Sequence, residues 1–439
     1  MKLFVTIYEE SAAAALDAIH NIDADHDGIE LRAEKFPDID LKAVRAATSK
    51  PIILTHRGSR VPDVRAALDA GIDLVDVEWP NDVIAPERTV YSHHDYEGVR
   101  DVESIMSVML AKNCAHTKLA ATPKNFAENE RLLSGLRQRE LPLSTPRREP
   151  RPLAQPREER WLAPPQSRLT IIGMGERGLY SRILAPFRGS ELVFVSARDL
   201  AAPGILTLDR ALEIYSRNPQ RAEKIFAIAG NPAGHSLSPV IHNKLFREKG
   251  VPAAYTIASF ETLDEIAEGF LRGEPCGLSV TAPFKNDAFA FAQRVQADIG
   301  RNAQRARAVN TLVNLGNRII ADNTDVDGFA ALLPKARKAA VVGAGGTGRA
   351  AKVALEDAGI PVTVFNRTAS KGDAPLDALP SFDGDLVINT LPGGVAIELP
   401  RCEHVIEAAY GPGKSSGLAL LHAQAKRQHQ LFMQVFDGL

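Results

Sequence analysis

Short apolar runs alternate with helix-forming stretches along the first 200 residues of the chain. A strand followed each time by a helix is the repeat of a (β/α)8 barrel, and we predict that fold for residues 1–218. Its strands are predicted at Leu3–Ile7, Gly28–Arg32, Pro51–Thr55, Leu74–Glu78, Val90–His93, Thr117–Ala120, Leu169–Gly173 and Val193–Ser196. Polar residues recur at spacing two within several runs, which places them on one face of a strand. These pairs are Glu30 with Arg32, Asp76 with Glu78, and His116 with Lys118.

The same alternation restarts near Ala222 and predicts a two-lobed α/β unit. The first lobe takes residues 222–332 and 413–439, with strands at Ala227–Gly230, Tyr255–Ser259, Gly277–Thr281 and Arg318–Asp322. The second takes residues 333–412, with parallel-type strands at Ala339–Gly343, Val362–Phe365, Leu386–Thr390 and Val405–Ala409. The helical pattern from Ser415 to Leu439 predicts a helix that returns to the first lobe.

One segment, residues 137–168, interrupts the barrel pattern with eight Arg, four Glu and seven Pro. Such a composition does not bury a core, so we predict an exposed, disordered insertion. Its local charge of +4 leaves an anionic partner as the alternative to a solvated loop.

Composition narrows the class of protein. Lys and Arg total 52 against 54 Asp and Glu, a net charge of −2 that provides no global field for nucleic acid or an anionic membrane. Three scattered cysteines, Cys114, Cys276 and Cys402, do not make a disulfide framework or a cysteine-based zinc site. The apolar start of the chain is too short for a signal peptide, and no run reaches the length of a membrane span. We therefore expect a cytoplasmic protein with no metal.

A glycine-rich turn lies between a predicted buried strand and an amphipathic helix, in VVGAGGTGRAAKVAL. Gly343, Gly345 and Gly348 fit the G-x-G-x-x-G spacing, and Gly346 lies in the same turn. Such glycines let the backbone approach a pyrophosphate and let the helix pack on the strand, although similar turns occur without a ligand. With strand and helix both present, the motif predicts a Rossmann nucleotide-binding lobe.

The end of the next strand indicates which nucleotide. An NAD site would have an acidic residue there, but the chain has Asn366, Arg367 and Thr368, with Lys371 one helical turn on. Cations suit a 2′-phosphate, so the sequence favours NADP over NAD. The alternative is an ordinary helix start with solvated cations.

Six motifs follow one another with consistent spacing: GNPAGHSLSPVIHN, SVTAPFKN, AVNTLV, NTDVDGF, GAGGTGR and NRT. Together they resemble shikimate dehydrogenase over roughly residues 222–410. The resemblance implies that Ser236 and Ser238 hold the substrate carboxylate and that Lys285 and Asp325 form the catalytic pair. Thr281, Asn310 and Tyr410 would contact the substrate as well. Lysine beside aspartate can take the proton of an alcohol through a polarised hydrogen-bonded network.

The resemblance departs at the C-terminal end. The family has D-x-x-Y-x-P, whereas this chain has Glu407 at the first position of EAAYGP. We recognise no glycine-led turn before the last helix, and Gln430 or Gln434 is predicted to supply the substrate-binding amide.

The barrel segments VYSHHDY, HTKLAA, GIELR and MGERGLYSRILAPFRGS look like type I 3-dehydroquinate dehydratase over about residues 2–203. The resemblance implies an imine-forming Lys118 and a proton-transferring His94. It also implies substrate contacts, which are Glu30, Arg32, Arg57 and Arg182. An imine acidifies the neighbouring carbon, so that a base removes a proton and the β-hydroxyl leaves as water.

Two positions of the barrel depart from that family. Val61 stands where the family has a glutamate that orients the histidine, and Ile205 ends the stretch AAPGI where the family has S-A-P-G-Q. The prediction is thus an enzyme of two consecutive steps, taking 3-dehydroquinate to 3-dehydroshikimate and then, with NADPH, to shikimate. The alternatives are a dehydrogenase with an impaired barrel, a non-catalytic sensor of shikimate or NADP, and quinate oxidation with NAD.

Overall fold

The computed structural model describes residues 1–22, 25–36, 38–58, 63–136, 168–198, 204–217, 219–411 and 415–437. The chain forms two compact units, Met1–Glu223 and Lys224–Leu439. Most of the predicted Arg- and Pro-rich insertion, residues 137–167, lies outside the described residues, and so do Val61, 201–203 and 412–414. No helix in the described ranges is long and apolar enough to cross a membrane.

The first unit is an eight-stranded parallel sheet that curves into a barrel, as the sequence predicts. Its strands are β1 (Lys2–Ile7), β2 (Gly28–Arg32), β3 (Ile52–Thr55), β4 (Leu74–Glu78), β5 (Thr89–Asp95), β6 (His116–Ala121), β7 (Leu169–Gly173) and β8 (Leu192–Ser196). The strand order is β7-β6-β5-β4-β3-β2-β1-β8. Its helices are α1 (Ala12–His20), α2 (Leu41–Ala47), α3 (Val64–Asp69), α4 (Val102–Leu110), α5 (Phe126–Ser134), α6 (Leu179–Leu184) and α7 (Leu208–Tyr215).

Most of these helices begin at a residue whose side chain accepts a hydrogen bond from the backbone of the first turn. An N-cap side chain satisfies one of the free N–H groups of the first turn. Five helices of the barrel have such a cap: Ser11, Asp40, Asp63, Asn125 and Thr207. The polar residues between strand and helix are therefore local start signals, which explains why the alternation is readable in the sequence.

The seam between β7 and β8 is closed by hydroxyl groups as well as by backbone. Glu191 N donates to Leu169 O, while Ile171 N donates to Ser190 Oγ and Leu192 N to Thr170 Oγ, each at about 3 Å. These bonds join the two ends of the strand order.

The first lobe of the second unit has a mixed sheet. Its strands are β9 (Lys224–Gly230), β10 (Ala253–Ser259), β11 (Gly277–Val280), β12 (Asp298–Ile299), β13 (Thr311–Asn314) and β14 (Ile319–Asp322), in the order β10-β9-β11-β13-β14-β12. The helices are α8 (Ser238–Lys249), α9 (Asp264–Leu271), α10 (Lys285–Arg294), α11 (Arg301–Ala306) and α12 (Asp325–Ala330). The sequence did not predict β12, which has two residues, or β13, whose short run belongs to a chemical motif and pairs antiparallel with both neighbours.

The second lobe is a parallel sheet in the order β17-β16-β15-β18-β19. Its strands are β15 (Ala339–Val342), β16 (Val362–Asn366), β17 (Ala374–Pro375), β18 (Leu386–Asn389) and β19 (His404–Glu407). Helix α13 (Gly346–Asp357) follows β15, and α14 (Ser415–Met433) packs on α8, α12 and β13 of the first lobe and on β19 of the second.

Candidate active sites

The interior of the barrel holds a lysine between two carboxylates. Lys118 of β6 is 3% exposed, and its Nζ lies 3.0 Å from Asp76 Oδ2 and 3.5 Å from Glu30 Oε1. The three side chains come from β6, β4 and β2, whose inward faces meet at the barrel axis. The ring of Phe194 on β8 lies 4.4 Å from the same amine. Lys118 is therefore enclosed and held in one place by charge.

Asp76 is a residue that the sequence interpretation noted for its spacing but did not assign to the site. It receives two parallel bonds of 2.8 Å from Arg57, and Ser92 donates to it as well. Burial alone would raise the pKa of Asp76, but Lys118 and Arg57 hold it well below its usual range. Asp76 is thus ionised and aligns both cations.

His94 lies at the carboxyl end of β5, two residues beyond the strand position that pairs with Lys118. Its Nδ1 is 2.7 Å from Glu78 Oε2, and its backbone N donates to Glu78 Oε1 at 2.8 Å. Burial lowers the pKa of His94 and the bond to Glu78 offsets this only in part. A neutral imidazole that donates from Nδ1 keeps Nε2 as an acceptor, which is the form a general base needs.

Two further arginines that were predicted to bind substrate lie at different places in the barrel. Arg32, at the end of β2, contacts Glu34 with Nη2, while its buried Nε has no partner among the described residues. Arg182 donates to Gly173 O, and burial lowers its pKa to about 10. Of the substituted closing segment, Ile205 is described and half-buried, and its side chain has no group that forms a hydrogen bond.

In the second unit, Lys285 and Asp325 form the predicted pair. Lys285 begins α10 and Asp325 begins α12, and Nζ lies 2.5 Å from Oδ2. The amine also donates to Thr347 Oγ, at 2.9 Å, in the first turn of α13. Asn310 Nδ2 donates to the other carboxylate oxygen at 2.8 Å. The pair is therefore tied both to the first lobe and to the glycine-rich helix.

The structure corrects the prediction for the last helix. Gln430 faces solvent, where it accepts from Arg427, and Gln434 lies beyond the end of α14. Gln424 instead accepts from Thr324 Oγ at 3.1 Å, beside Asn310.

A glycine also lies in the first turn of α14, which the sequence analysis did not recognise, whereas residues 412–414 before that helix lie outside the described residues. A Cβ on Gly417 would lie 2.2 Å from Ala409 O, so only glycine lets α14 approach that backbone. The sequence signal that could have revealed this is the pair Gly417 and Gln424, seven residues apart, which is two turns on one helix face.

The predicted carboxylate-binding serines lie together at the start of α8. Ser236 donates from Oγ to Ser238 Oγ at 3.1 Å and accepts from Ser238 N at 3.2 Å, and both residues are buried. Thr281 follows β11, and its methyl group packs where Gly230 leaves room. Tyr410 is half-buried just after β19.

A second side-chain amide that the sequence did not predict, Gln428, is buried beside Asn310. Its Nε2 donates to Thr311 Oγ and to Asn310 O, while its Oε1 accepts from Ser279. Tyr255 in turn donates to Ser279 Oγ. The network runs from Tyr255 through Ser279 and Gln428 to Thr311 and Asn310.

The glycine turn has the geometry expected of a phosphate cradle. Gly343 has φ +100°, and a Cβ on Gly348 would lie 2.0 Å from Gly343 O, so the helix packs on the strand only because residue 348 is glycine. By contrast, a Cβ on Gly345 would meet nothing within 4 Å, so the backbone there faces open space at the start of α13. Gly346 is packed against Lys285.

The residues predicted to select the nucleotide lie beside this turn. Asn366 ends β16, where its amide closes on Thr368 O at 3.0 Å. Arg367, Thr368 and Lys371 are exposed, and Arg367 lines a cavity of about 580 Å³. The turn and the exposed cations fit a nucleotide that carries an extra phosphate.

The architecture and the two lysine sites define a barrel joined to a two-lobed dehydrogenase unit. The type I 3-dehydroquinase family matches residues 3–146 and 157–220, and the shikimate dehydrogenase substrate binding domain matches residues 228–312. The first unit therefore has the domain of the type I 3-dehydroquinases, and the second contains the substrate binding domain of the shikimate dehydrogenases.

Curated relatives have both parts in one chain. The pentafunctional AROM polypeptide of Lachancea thermotolerans is 28% identical over 438 residues, covering 88% of this chain and 25% of that polypeptide. The chain thus spans about a quarter of the length of that relative. The shikimate biosynthesis protein AroDE of Chlamydia pneumoniae is 27% identical over 87% of this chain and 81% of its own.

A solved shikimate 5-dehydrogenase of Thermus thermophilus, in complex with NADP(H) and shikimate, is 28% identical with a TM-score of 0.41. The match covers 47% of this chain and 92% of that one.

Proposed function

We propose that the chain catalyses two consecutive reactions, the dehydration of 3-dehydroquinate in the barrel and the NADPH-dependent reduction of 3-dehydroshikimate in the second unit. The observation that carries the proposal is that each unit holds one lysine amine against a carboxylate. Lys118 Nζ lies 3.0 Å from Asp76, and Lys285 Nζ lies 2.5 Å from Asp325. In each unit these groups adjoin the residues that the family resemblance assigns to substrate.

In the barrel, Lys118 gives a proton to a neighbouring carboxylate, and its free amine attacks the substrate ketone. The ketone oxygen takes up that proton and leaves as water, which yields an iminium. His94 Nε2 takes the proton from the neighbouring carbon, and the electron pair moves to nitrogen as an enamine. The electrons then return, the β-hydroxyl leaves, and His94 returns the proton so that it departs as water. A second water hydrolyses the iminium and frees Lys118. Arg32, whose Nε has no partner among the described residues, provides a donor for the substrate carboxylate.

In the second unit, the turn with Gly343, Gly345 and Gly348 would hold NADPH, which when bound would supply a hydride for the ketone of 3-dehydroshikimate. Lys285 provides the proton that the new alkoxide needs, and Asp325 holds the amine in position. Asn310 and Gln424 bind ring hydroxyls, since both have amide groups beside that pair. Ser236 and Ser238 anchor the carboxylate at the other end.

We assign NADP rather than NAD because the end of β16 has a fixed cation and no carboxylate. The guanidinium of Arg367 suits a 2′-phosphate, whereas an acidic residue would repel it. We also propose small-molecule substrates and no nucleic acid, because the chain has almost no net charge. We propose the cytoplasm as the place of the activity.

The test follows NADPH absorbance after 3-dehydroquinate is added to the purified chain, with 3-dehydroshikimate in a parallel reaction. Consumption in both, with shikimate as product, is the expected result. Consumption with neither substrate would refute the proposal, and binding without turnover would favour the sensor alternative. Faster formation of NADH from quinate and NAD would overturn the assigned substrate and cofactor.

A second candidate is a dehydrogenase that has an impaired barrel. Ile205 favours it, because an alkyl side chain there removes an amide that would bind substrate. Borohydride trapping distinguishes the two, since a working barrel must form a reducible imine on Lys118. Consumption of NADPH with 3-dehydroshikimate alone, and no trapped imine, would support this second candidate.

A further inference from the structure

The barrel sequence lacks one acidic residue that the dehydratase family uses beside its catalytic histidine. The family glutamate that would orient His94 is replaced by Val61, and the surrounding segment 59–62 reads Ser, Arg, Val, Pro, without a carboxylate. The next acid, Asp63, accepts from Ala66 N as the cap of α3. A histidine that is to act as base still needs a group that fixes its tautomer and its ring orientation.

Glu78 has the geometry for that task. Its Oε2 lies 2.7 Å from His94 Nδ1, and its Oε1 accepts from the backbone N of the same residue at 2.8 Å. One carboxylate therefore holds both the ring and the main chain of His94. The hold comes from β4, the strand that pairs directly with β5.

Glu78 is itself fixed by neighbours. Arg57 Nη1 donates to its Oε2 at 3.1 Å, and the hydroxyl of Ser92, its register partner across the two strands, lies at the same distance while donating to Asp76. Burial would raise the pKa of Glu78, but the bond from His94 and the charge of Arg57 lower it below its usual value. The carboxylate is therefore ionised at neutral pH and acts as an acceptor.

We propose that Glu78 is the positioning residue of the dehydratase, which holds His94 with Nε2 free to take and return the substrate proton. The function that the family assigns to the position of Val61 is then performed from β4. This inference rests on the proposed dehydration, and it names the residue on which that step depends in this chain.

The experiment compares wild-type protein with Glu78→Gln. The amide has the same shape as the carboxylate but lacks the negative charge that strengthens the hydrogen bond from His94 Nδ1–H. We expect kcat for dehydration to fall by about 10²–10⁴-fold with little change in KM, because the proton transfer weakens while substrate contacts remain. The acid limb of the kcat profile should also move to lower pH, since the carboxylate raises the pKa of His94. The matched control is Glu97→Gln, at an exposed carboxylate two residues beyond β5, which should leave kcat and the pH profile unchanged.

A kcat within about threefold of wild type, with an unshifted pH profile, would overturn the assignment. Absence of dehydration in the wild-type protein would instead refute the proposed function. A measurement that needs neither turnover nor a variant tests Glu78 directly: nitrogen NMR of His94 in the wild-type protein. A proton on Nδ1 across neutral pH supports the hold, and a proton on Nε2 with a bare Nδ1 refutes it.

Discussion

His242 predicts a loss of stability in the second unit as the pH falls. The ring is fully buried in α8, where it stacks on Tyr255 with centroids 4.5 Å apart. Its Nε2 lies 3.2 Å from Gln428 Oε1, and its Nδ1 has no partner among the described residues. Burial, with a contribution from His429, lowers the pKa of His242 to about 3. The folded unit thus keeps this histidine neutral.

The sign and size follow from proton linkage. In the unfolded chain His242 has its ordinary pKa of about 6.5 and binds a proton as the pH falls below that value, whereas the folded state does not until about pH 3. Stability from this group is therefore complete above pH 6.5 and is lost progressively toward pH 3. Between pH 7.5 and pH 5 the loss is about 2 kcal/mol. His429, whose pKa burial also lowers, adds in the same direction, and Tyr255 stays neutral over this range.

The perturbation is His242→Phe, which keeps an aromatic ring in the cluster and removes the titration. At pH 7.5 it should cost about 1 kcal/mol, because the bond to Gln428 is lost while Ser279 still donates to that amide. Hydrogen exchange by mass spectrometry on peptides of β9 and β10, in increasing urea, gives the free energy of opening at both pH values. His422→Gln, at an exposed position of α14, is the control.

The variant should lose about 2 kcal/mol less than wild type between pH 7.5 and pH 5. Equal losses in the two proteins would refute the reasoning, because the buried ring would then be exchanging protons in the folded state. A wild-type protein whose stability rises toward pH 5 would have the opposite sign and would refute it as well.

Three substitutions test the second site, each through one kinetic constant. Lys285→Met should lower kcat for 3-dehydroshikimate reduction by at least about 10²-fold with NADPH binding kept, and near-normal turnover would contradict its role in proton transfer. Arg367→Ala should raise KM for NADPH about tenfold, from the loss of about 1.5 kcal/mol of charged hydrogen bonding, and leave KM for NADH unaffected. An equal rise for both nucleotides would argue against a 2′-phosphate contact. Gln424→Ala should raise KM for 3-dehydroshikimate by a similar factor, whereas the same change at exposed Gln430 should not.

The barrel could be predicted because its information is local. Each strand is a short apolar run, and five helices begin with a side-chain cap. The hydrophobic pattern and the helix-start residues therefore indicate the same elements along the chain. The same local signals fail for β13, a four-residue strand that is fixed by antiparallel partners on both sides. Its place in the sheet depends on contacts distant in sequence.

The sites show the same division. The spacing of Asp76 and Glu78 indicated a shared strand face, but their partners Lys118 and His94 lie on other strands, and distances across a barrel are not written in the spacing. The sequence analysis missed Gln424 because several glutamines lie on the same helix, α14. Only the packing of α14 determines which of them faces Thr324.

The position of α14 in the chain has a consequence for how the two sites come into being on the ribosome. All the described strands of the barrel, with Lys118 and His94, have been synthesised by Tyr215, whereas Gln424 is the last group to reach the second site. The 218 residues that follow Tyr215, up to Met433, take roughly 10 to 45 s at ordinary rates of translation. Under the proposed function, a nascent chain would acquire the groups that make 3-dehydroshikimate well before it could complete the site that reduces it. A chain stalled on the ribosome before Gln424 would then have the groups of the dehydratase site without a complete reductase site.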